Sequence, residues 1–523
     1  MNSMRIAALL VCSLSLPAFA PMLLAQTITT GSIEGTVTDL NRAVVPGVIV
    51  VVTSPNLILS RSVTTDPQGR YHLLNLPPGR YVVTIEAANG FARFQQKNIE
   101  VNLGKTCVVE VQLAIEKIGQ NIDVTVTAGA PVDVTANTTG TNIATEQFSN
   151  FPTQRTVQSL YRIAPTVTRS GLRDASGRDR DPSVAGSSGP ENGYILDGVN
   201  TTDPGNGGAG ANLPFEFVQE VEIKTGAFGA EYGLSTGGIF NVITKSGGNE
   251  LHGDAFAYFT LRELVRQTKN FSFTGSAPNG FSEIDAGFDL GGPLKRDRLW
   301  FFGAINPQRR ENSFLTQTFR QAVKNKITTP FYAGKLTWGI SKNHLFTFST
   351  FSDFTKEEGF LFGSSGFGAN LNSFKGRNET GGHNYALRLN SSITPHWIGE
   401  FSVGLHFQRS NKIPDASVAE TSQMGDNLAI LRADGSVAPV TQSGLLFNPA
   451  AGQAANNTGF LDFVLAPGGT LQRGFTRQGF GTFGNFGLFG PENRNRFEAA
   501  ARLQNLWGRH TFKYGVEAYR NVY

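Results

Sequence analysis

The sequence predicts a mainly β protein in three parts: an N-terminal β-sandwich, a compact α+β region, and part of a transmembrane antiparallel β-barrel. Three observations predict it. Valine-rich runs separated by turn residues recur early in the chain. From Leu251 onward, segments of barrel-strand length alternate apolar with polar residues, joined alternately by short turns and long loops. The composition, 40 Phe and 60 Gly with only 16% charged residues in 523, falls well below the roughly 25% charge of an average globular chain. No apolar run after the N-terminal segment approaches the roughly 18 residues that a membrane helix needs; Ala43 to Val52 is the nearest, and Pro46 and Gly47 interrupt it.

Residues 1–25 read as a secretory signal. Arg5 supplies the positive end, Ile6 to Leu16 the apolar core, and small residues follow at Ala18, Ala20 and Ala25, with cleavage favoured after Ala25. Cys12 lies inside the apolar run behind the bulky Val11, which is not the pattern of a lipoprotein signal. Beyond this segment only Cys107 remains, so no intramolecular disulfide can form and no cysteine-based metal site is available. A formal charge of +4 on a chain of this length is too small to imply a nucleic-acid partner.

Residues 29–115 carry strand runs at Gly35–Asp39, Val48–Thr53, Tyr81–Glu86 and Val108–Leu113, separated by Asp66-Pro67-Gln68-Gly69 and Leu76-Pro77-Pro78-Gly79. Several short strands with no helix signal predict a sandwich of seven-strand type. Thr65-Asp66-x-x-Gly69-x-Tyr71, then Leu76-Pro77-Pro78-Gly79-Arg80-Tyr81 and Gly90-Phe91, resembles the carboxypeptidase-regulatory-like domain of transthyretin or CNA-B type, an accessory fold without peptidase chemistry. One departure is visible. Where the family often has a glycine soon after Asp39, this chain has Asn41-Arg42-Ala43, which leaves the first hairpin turn open.

Residues 121–128 include Ile122-Asp123-Val124-Thr125-Val126-Thr127-Ala128 between Gly119 and Gly129. Such an extended β-branched segment can add to the edge of a partner's sheet; it reads equally as a linker or as a last sandwich strand. Residues 130–250 form the mixed region. A short helix is predicted over Thr156–Ile163 and stopped by Pro165; a strand Tyr194-Ile195-Leu196 meets the turn pair Asp197-Gly198, and strands follow at Phe217–Gly226 and Gly237–Lys245. Asn192-Gly193-Tyr194-Ile195-Leu196-Asp197-Gly198-Val199-Asn200, Val218 to Gly226, and Glu231-Tyr232-Gly233 through Gly237-Gly238 and Asn241 to Gly248 closely resemble the plug domain of TonB-dependent outer-membrane receptors. The whole order is similar to the Oar-like receptors, and on that resemblance Ile122–Ala128 falls where the TonB box belongs. The pairs Gly237-Gly238 and Gly247-Gly248 are expected to allow positive φ and close backbone approach to a barrel wall. Gly205 to Gly210 lacks the strand-to-helix context and the downstream Lys-Ser/Thr of a nucleotide loop.

Residues 251–523 are read as the N-terminal part of the barrel, with nine strands near 251–260, 284–291, 299–306, 333–340, 345–353, 384–392, 397–407, 496–505 and 511–519. Short turns between them alternate with long loops at 354–383 and 408–495, the asymmetry of periplasmic turns and outer loops. Trp300, Trp338, Trp397 and Trp507 lie near turn-side strand ends, where an interfacial aromatic belt is expected. A ninth strand ends on the side opposite to the start of the first and cannot close antiparallel against it. The count therefore predicts an incomplete barrel, and the resemblance implies twenty-two strands.

No catalytic constellation, metal site or cofactor motif is read in the chain. His252 and His406 are expected in the barrel wall, and Asp197 is explained by its turn before Gly198. Arg173, Arg178 and Arg180 in an Asp- and Arg-rich loop are candidates for a ligand-facing plug apex. The resemblance implies energised uptake across the outer membrane of an oligosaccharide, siderophore or peptide, with TonB and its proton-driven inner-membrane complex as partners. Outer-membrane lipid and the barrel assembly machinery would be further partners. A surface adhesion or matrix-interaction protein that uses the long loops and does not transport is the alternative.

Overall fold

The computed structural model describes residues 29–57, 60–86, 90–115, 122–124, 138–148, 155–170, 181–229, 232–233, 235–264, 277–315, 322–360, 375–394, 397–414, 428–431, 437–440, 463–465, 471–476, 492–507 and 510–523. Eight strands make two facing sheets at the N-terminus: β1 (Gly31–Asp39), β2 (Ile49–Thr53), β3 (Arg61–Thr64), β4 (Arg70–Leu76), β5 (Gly79–Ile85), β6 (Phe94–Val101), β7 (Thr106–Val108) and β8 (Val111–Leu113). One sheet runs β4-β1-β7, with β8 also on β1; the other runs β3-β2-β5-β6 and ends on β9 (Ile122–Val124). Since β7 and β8 both pair in parallel with β1, they are two halves of one strand. That leaves the seven strands expected, with β9 added to them.

The sandwich follows from period-two burial. β1 buries alternate residues as far as Val37, which a strand with one face on a core must do. Ile33, Val50, Val52, Tyr71, Leu76, Val83 and Ile99 fill the space between the sheets. Tyr81 is wholly buried, and its hydroxyl donates to the Pro77 carbonyl at 2.6 Å. In the Asp66 turn the carboxylate accepts from the amides of Gln68 and Arg70, and Gly69 takes a φ of 72°. The first turn is built the same way without a glycine. Asp39 accepts from the amides of Asn41 and Ala43 at 2.8 Å each, and Arg42 takes the left-handed φ of 65°.

The middle region holds β10 (Thr139–Ala144), α1 (Thr145–Phe148), α2 (Val157–Leu160), β11 (Val167–Thr168), β12 (Ser183–Val184), β13 (Gly193–Leu196), β14 (Val199–Asn200), β15 (Val218–Gly226) and β16 (Ile239–Thr244). Its sheet order is β10-β15-β16-β13-β14. The helix expected over 156–163 is α2, which tightens into a 3-10 turn at Tyr161–Ile163 and ends ahead of Pro165. β13 and β14 form a two-residue hairpin in which Asp197 has φ 47° and Gly198 φ 78°, the turn that an Asp-Gly pair favours.

The barrel wall consists of β17 (Ala255–Thr260), β18 (Ala277–Lys295), β19 (Leu299–Leu315), β20 (Ala322–Ser341), β21 (His344–Ser352), β22 (Thr355–Phe360), β23 (Lys375–Thr394) and β24 (Trp397–Pro414). A separate sheet of β25 (Leu428–Leu431), β26 (Val437–Val440), β27 (Phe463–Leu465) and β28 (Leu471–Thr476) follows, and β29 (Asn495–Trp507) and β30 (His510–Val522) complete the wall. β21 and β22 both pair with β20 and β23, so they are one interrupted strand, and among the described residues the wall has the nine strands counted from the sequence. Its two outer strands among the described residues are β17 and β30.

Strand faces alternate as a membrane wall requires. On β18, Ile284, Phe288 and Leu290 are exposed while Asp285 and Asp289 are buried; on β24, Phe401 and Val403 are exposed while His406 and Gln408 are buried. The first group faces lipid and the second the lumen. At the turn ends the strands stop close to the expected positions. At the loop ends they run on: β23 begins at Lys375 and not 384, and β24 reaches Pro414 and not 407. The ladder continues beyond the apolar band, where ion pairs such as Lys324–Glu311 at 2.7 Å replace lipid-facing residues. One correction concerns the aromatic belt. Trp338, Trp397 and Trp507 are exposed at the turn ends, but Trp300 is 1% exposed. Register pairs Trp300 with Thr337, one residue off Trp338, so it turns into the lumen and donates to Asn249 at 2.9 Å.

A non-glycine residue in the left-handed region carries a steric cost that glycine does not. Arg42→Gly is expected to stabilise the first turn by roughly 0.5 to 1 kcal/mol. Hydrogen exchange at the β1 amides in the full chain should then slow about two- to fivefold.

Candidate functional site

The functional unit is the contact between the middle region and the wall packed against it. Its apolar half is one continuous cluster. Leu160, Tyr161, Tyr194, Phe217, Val221, Phe240 and their neighbours pack on Phe302 and Ala304 of β19, Phe331 and Ala333 of β20, and Phe351 of β21. These wall residues stand at lumen positions, and they are apolar there because a packed domain covers them.

Elsewhere the contact is polar, with partners supplied by several wall strands. Arg155 pairs with Glu216 and reaches Asp285 of β18 at 3.2 Å, its guanidinium lying over the Tyr258 ring. Lys245 meets Asp289 of β18 at 2.9 Å. The Asn212 amide donates to Asp353 at 2.8 Å, next to the end of β21. Gln408 of β24 and Arg494 donate to Asp203 at 3.0 and 2.6 Å. The Asn200 amide donates to Glu498 of β29 at 3.0 Å.

Asp197 is the most constrained of these residues. It is 4% exposed and accepts from the Thr244 amide at 3.0 Å, the Thr244 hydroxyl at 2.6 Å and the Lys335 ammonium of β20 at 2.9 Å. Arg388 of β23 donates to its backbone carbonyl. Burial alone would raise its pKa, but Lys335 and the Thr244 hydrogen bonds outweigh that and hold the carboxyl below its ordinary range. Its turn role was legible in the sequence, whereas its grip on the wall was not.

The other expected motif residues organise the same region. Asn192 donates to the Pro182 carbonyl at 2.7 Å and accepts from the Gly238 amide at 2.8 Å, which joins the start of β13 to β16. A Cβ on Gly237 would collide with the Asn192 side chain, and one on Gly247 with the Phe301 carbonyl of the wall. The expected close approach is therefore found, but none of Gly237, Gly238, Gly247 and Gly248 has a positive φ. Asn241 is buried and donates to Glu222 at 3.2 Å; Tyr232 packs edge-on against Phe228. Glu231, Arg173, Arg178 and Arg180 lie outside the described residues. Of Ile122–Ala128, only Ile122, Asp123 and Val124 are described, as β9. His406 sits on β24 against Asn384, and His252 bridges to Gly291 at the turn end of the wall.

Two further features have no simple signal in the sequence. On the loop side, an open cavity is lined by Asp203, Asn212, Gln308, Arg310, Asp353 and Gln408, among others. On the turn side, the sandwich docks under the middle region. The Leu103 amide donates to Glu220 of β15 at 2.9 Å, and Asn142 of β10 donates to both the Leu103 carbonyl (2.9 Å) and Glu220 (2.7 Å). Burial, with Glu222 and Glu100 nearby, raises the Glu220 carboxyl to about 7 despite these donors.

Removing one partner of a buried pair costs about 3–5 kcal/mol, because the other charge stays buried, whereas removing both costs far less. Lys335→Met is expected to abolish exchange protection in β13, β14 and β16, and adding Asp197→Asn should restore most of it. For Glu220 the docked state keeps a proton that the undocked carboxyl loses near pH 4.5. Docking is therefore strongest below that pH and weakens, by up to about 3 kcal/mol, as pH rises through about 7. Exchange at the Leu103 amide, corrected for intrinsic rate, should lose protection over that window, and Glu220→Gln should flatten the profile.

Comparisons with known proteins agree with this architecture. Residues 32–114 match the carboxypeptidase regulatory-like domain, residues 132–239 the TonB-dependent receptor plug domain, and residues 243–325 an outer membrane beta barrel domain. The chain is 32% identical over 360 residues to the TonB-dependent transporter Oar of Myxococcus xanthus, covering 61% of this chain and 33% of that protein. It is 30% identical over 249 residues to the ferrienterobactin receptor of Escherichia coli strain K12, covering 43% of this chain and 32% of that protein. The chain thus spans about a third of the length of these relatives. Among solved structures it is similar to the outer membrane transporter YddB from Escherichia coli, at 12% identity and a TM-score of 0.48 over 73% of this chain and 47% of that one. A similar match is the siderophore receptor PirA from Acinetobacter baumannii, at 14% identity and a TM-score of 0.44 over 73% and 48%. The chain is thus similar to the Oar-like TonB-dependent receptors of the outer membrane, with a carboxypeptidase regulatory-like domain ahead of a plug domain and an outer membrane beta barrel domain.

Proposed function

We propose that the chain is the gate of a transporter that takes up a small ligand through the outer membrane, driven by TonB and its proton-coupled inner-membrane complex. The observation that carries this reading is the plug seated in the lumen and held there by polar contacts to β18, β20, β24 and β29. A passive pore has no use for such an obstruction. A ligand would enter from the loop side, where the polar cavity opens, and Arg173, Arg178 and Arg180 are proposed to face it from the plug apex. Ile122–Ala128 would be the TonB box, between the sandwich and the plug match that starts at residue 132. Asn192, Asp197, Gly198, Asn200, Glu231, Tyr232, Gly237, Gly238 and Asn241 would keep the plug in register with the wall. No catalytic step is assigned to any of them.

The ligand class stays within oligosaccharide, siderophore or peptide. Adhesion without transport is not favoured, since the curated relatives are a TonB-dependent transporter and siderophore receptors. Outer-membrane lipid would contact the exposed apolar band, and the barrel assembly machinery would insert the wall.

Deleting Ile122–Ala128 from the gene is expected to abolish energised uptake while leaving surface display unchanged. Uptake at the wild-type rate in correctly displayed protein would overturn the box assignment.

A further inference from the structure

The segment read as the TonB box does not stand alone. Its first three residues form β9, which pairs in parallel with β6 of the sandwich: Phe94 with Ile122, Gln95 with Asp123, and Gln96 with Val124. β9 is the last strand of the sheet β3-β2-β5-β6-β9, and among the described residues no strand pairs with its other edge. The sandwich is in turn fixed to the plug through Leu103, Glu220 and Asn142.

We propose that the sandwich presents the box to its partner: the TonB strand adds to the outer edge of β9 and extends the five-stranded sheet by one. This rests on the box reading proposed above and goes beyond it by making the accessory domain part of the docking surface. Strand addition draws its affinity from main-chain hydrogen bonds. A segment that is already extended and held on a sheet loses less conformational entropy on pairing than a loose one does. A strand has two hydrogen-bonding edges, and β6 occupies only one of them. The partner therefore needs no displacement of β9, and the pair β6–β9 can persist in the complex.

Locking β9 in place tests this. Register partners on neighbouring strands lie about 4.8 Å apart, within the Cα separation of roughly 4.4–6.8 Å that a disulfide spans. In the full chain with Cys12→Ser and Cys107→Ser, the pair Gln95→Cys and Asp123→Cys is expected to oxidise readily. The purified C-terminal domain of TonB is the probe, with its affinity measured for the oxidised and reduced forms and for a Val124→Pro variant. Presentation predicts that the oxidised form binds as tightly as the reduced form or up to about tenfold tighter. Val124→Pro, which removes a main-chain donor, should bind at least tenfold more weakly. If oxidation weakens binding tenfold or more while the reduced form binds, the sandwich masks the box and the proposal is overturned, with the box reading intact. If the disulfide fails to form, β9 is not held on β6 and the proposal is likewise overturned. If the reduced form does not bind, the box reading itself falls; if Val124→Pro binds as the reduced form does, strand addition at β9 is overturned.

Discussion

The architecture depends on one constraint: a barrel strand that shows lipid an apolar face must turn every second side chain inward. In this chain those inward positions hold Asp285, Asp289, Lys335, Arg388, Gln408 and Glu498. A buried charge or amide without a partner costs several kcal/mol, so such a wall needs either water or a domain that answers it group by group. The plug answers it. Arg155, Lys245, Asp197, Asp203 and the Asn200 amide each meet a wall group of complementary character. The opposite strategy appears at Phe302, Phe331 and Phe351, where inward positions are apolar and the plug presents its own core to them.

These two kinds of contact respond differently when the plug moves. Hydrogen bonds and ion pairs exchange protein partners for water with a small net change. The apolar patch has no such exchange, since exposing it loses the burial of every ring at once. A plug held to the described wall by polar pairs, and by an apolar patch against β19–β21, can therefore be wetted from one side without losing its whole attachment. Asp197 is the exception among the polar contacts, because four donors from one plug residue and two wall residues converge on it.

What could be read from the sequence divides along the same line. Strand positions at the turn ends, the α2 turn before Pro165, the Asp197-Gly198 hairpin and the seven-strand sandwich all follow from local period and turn chemistry. These act within a few residues, and the structure agrees with them. The strand extensions at the loop ends were not legible, because past the membrane no lipid demands apolar residues and the two-residue period fades. Trp300 reads like the other three tryptophans until register shows that it sits one residue out of phase with Trp338. The wall partners of the plug were hidden for a different reason. Lys335 and Arg388 are single charged residues inside apolar-alternating strands, and only the fold reveals that Asp197 is their partner. A charged residue on the inward parity of a barrel strand was the one available signal.

The junction between sandwich and plug links these observations to the chain's mechanical order. Asn142, which bridges Leu103 and Glu220, belongs to β10, and among the described residues β10 is an edge strand of the plug sheet, paired only with β15. Glu220 lies on β15 and pairs in register with Ala144 of β10. Two neighbouring strands thus carry both the last pairing of the plug sheet and its attachment to the sandwich. Any load applied to the segment between the domains is felt first at β10, an edge strand among the described residues, and at a carboxyl whose burial already works against its charge. The strand pairs deeper in the plug, and the Asp197 anchor beyond them on β20 and β23, are reached only after that edge has yielded.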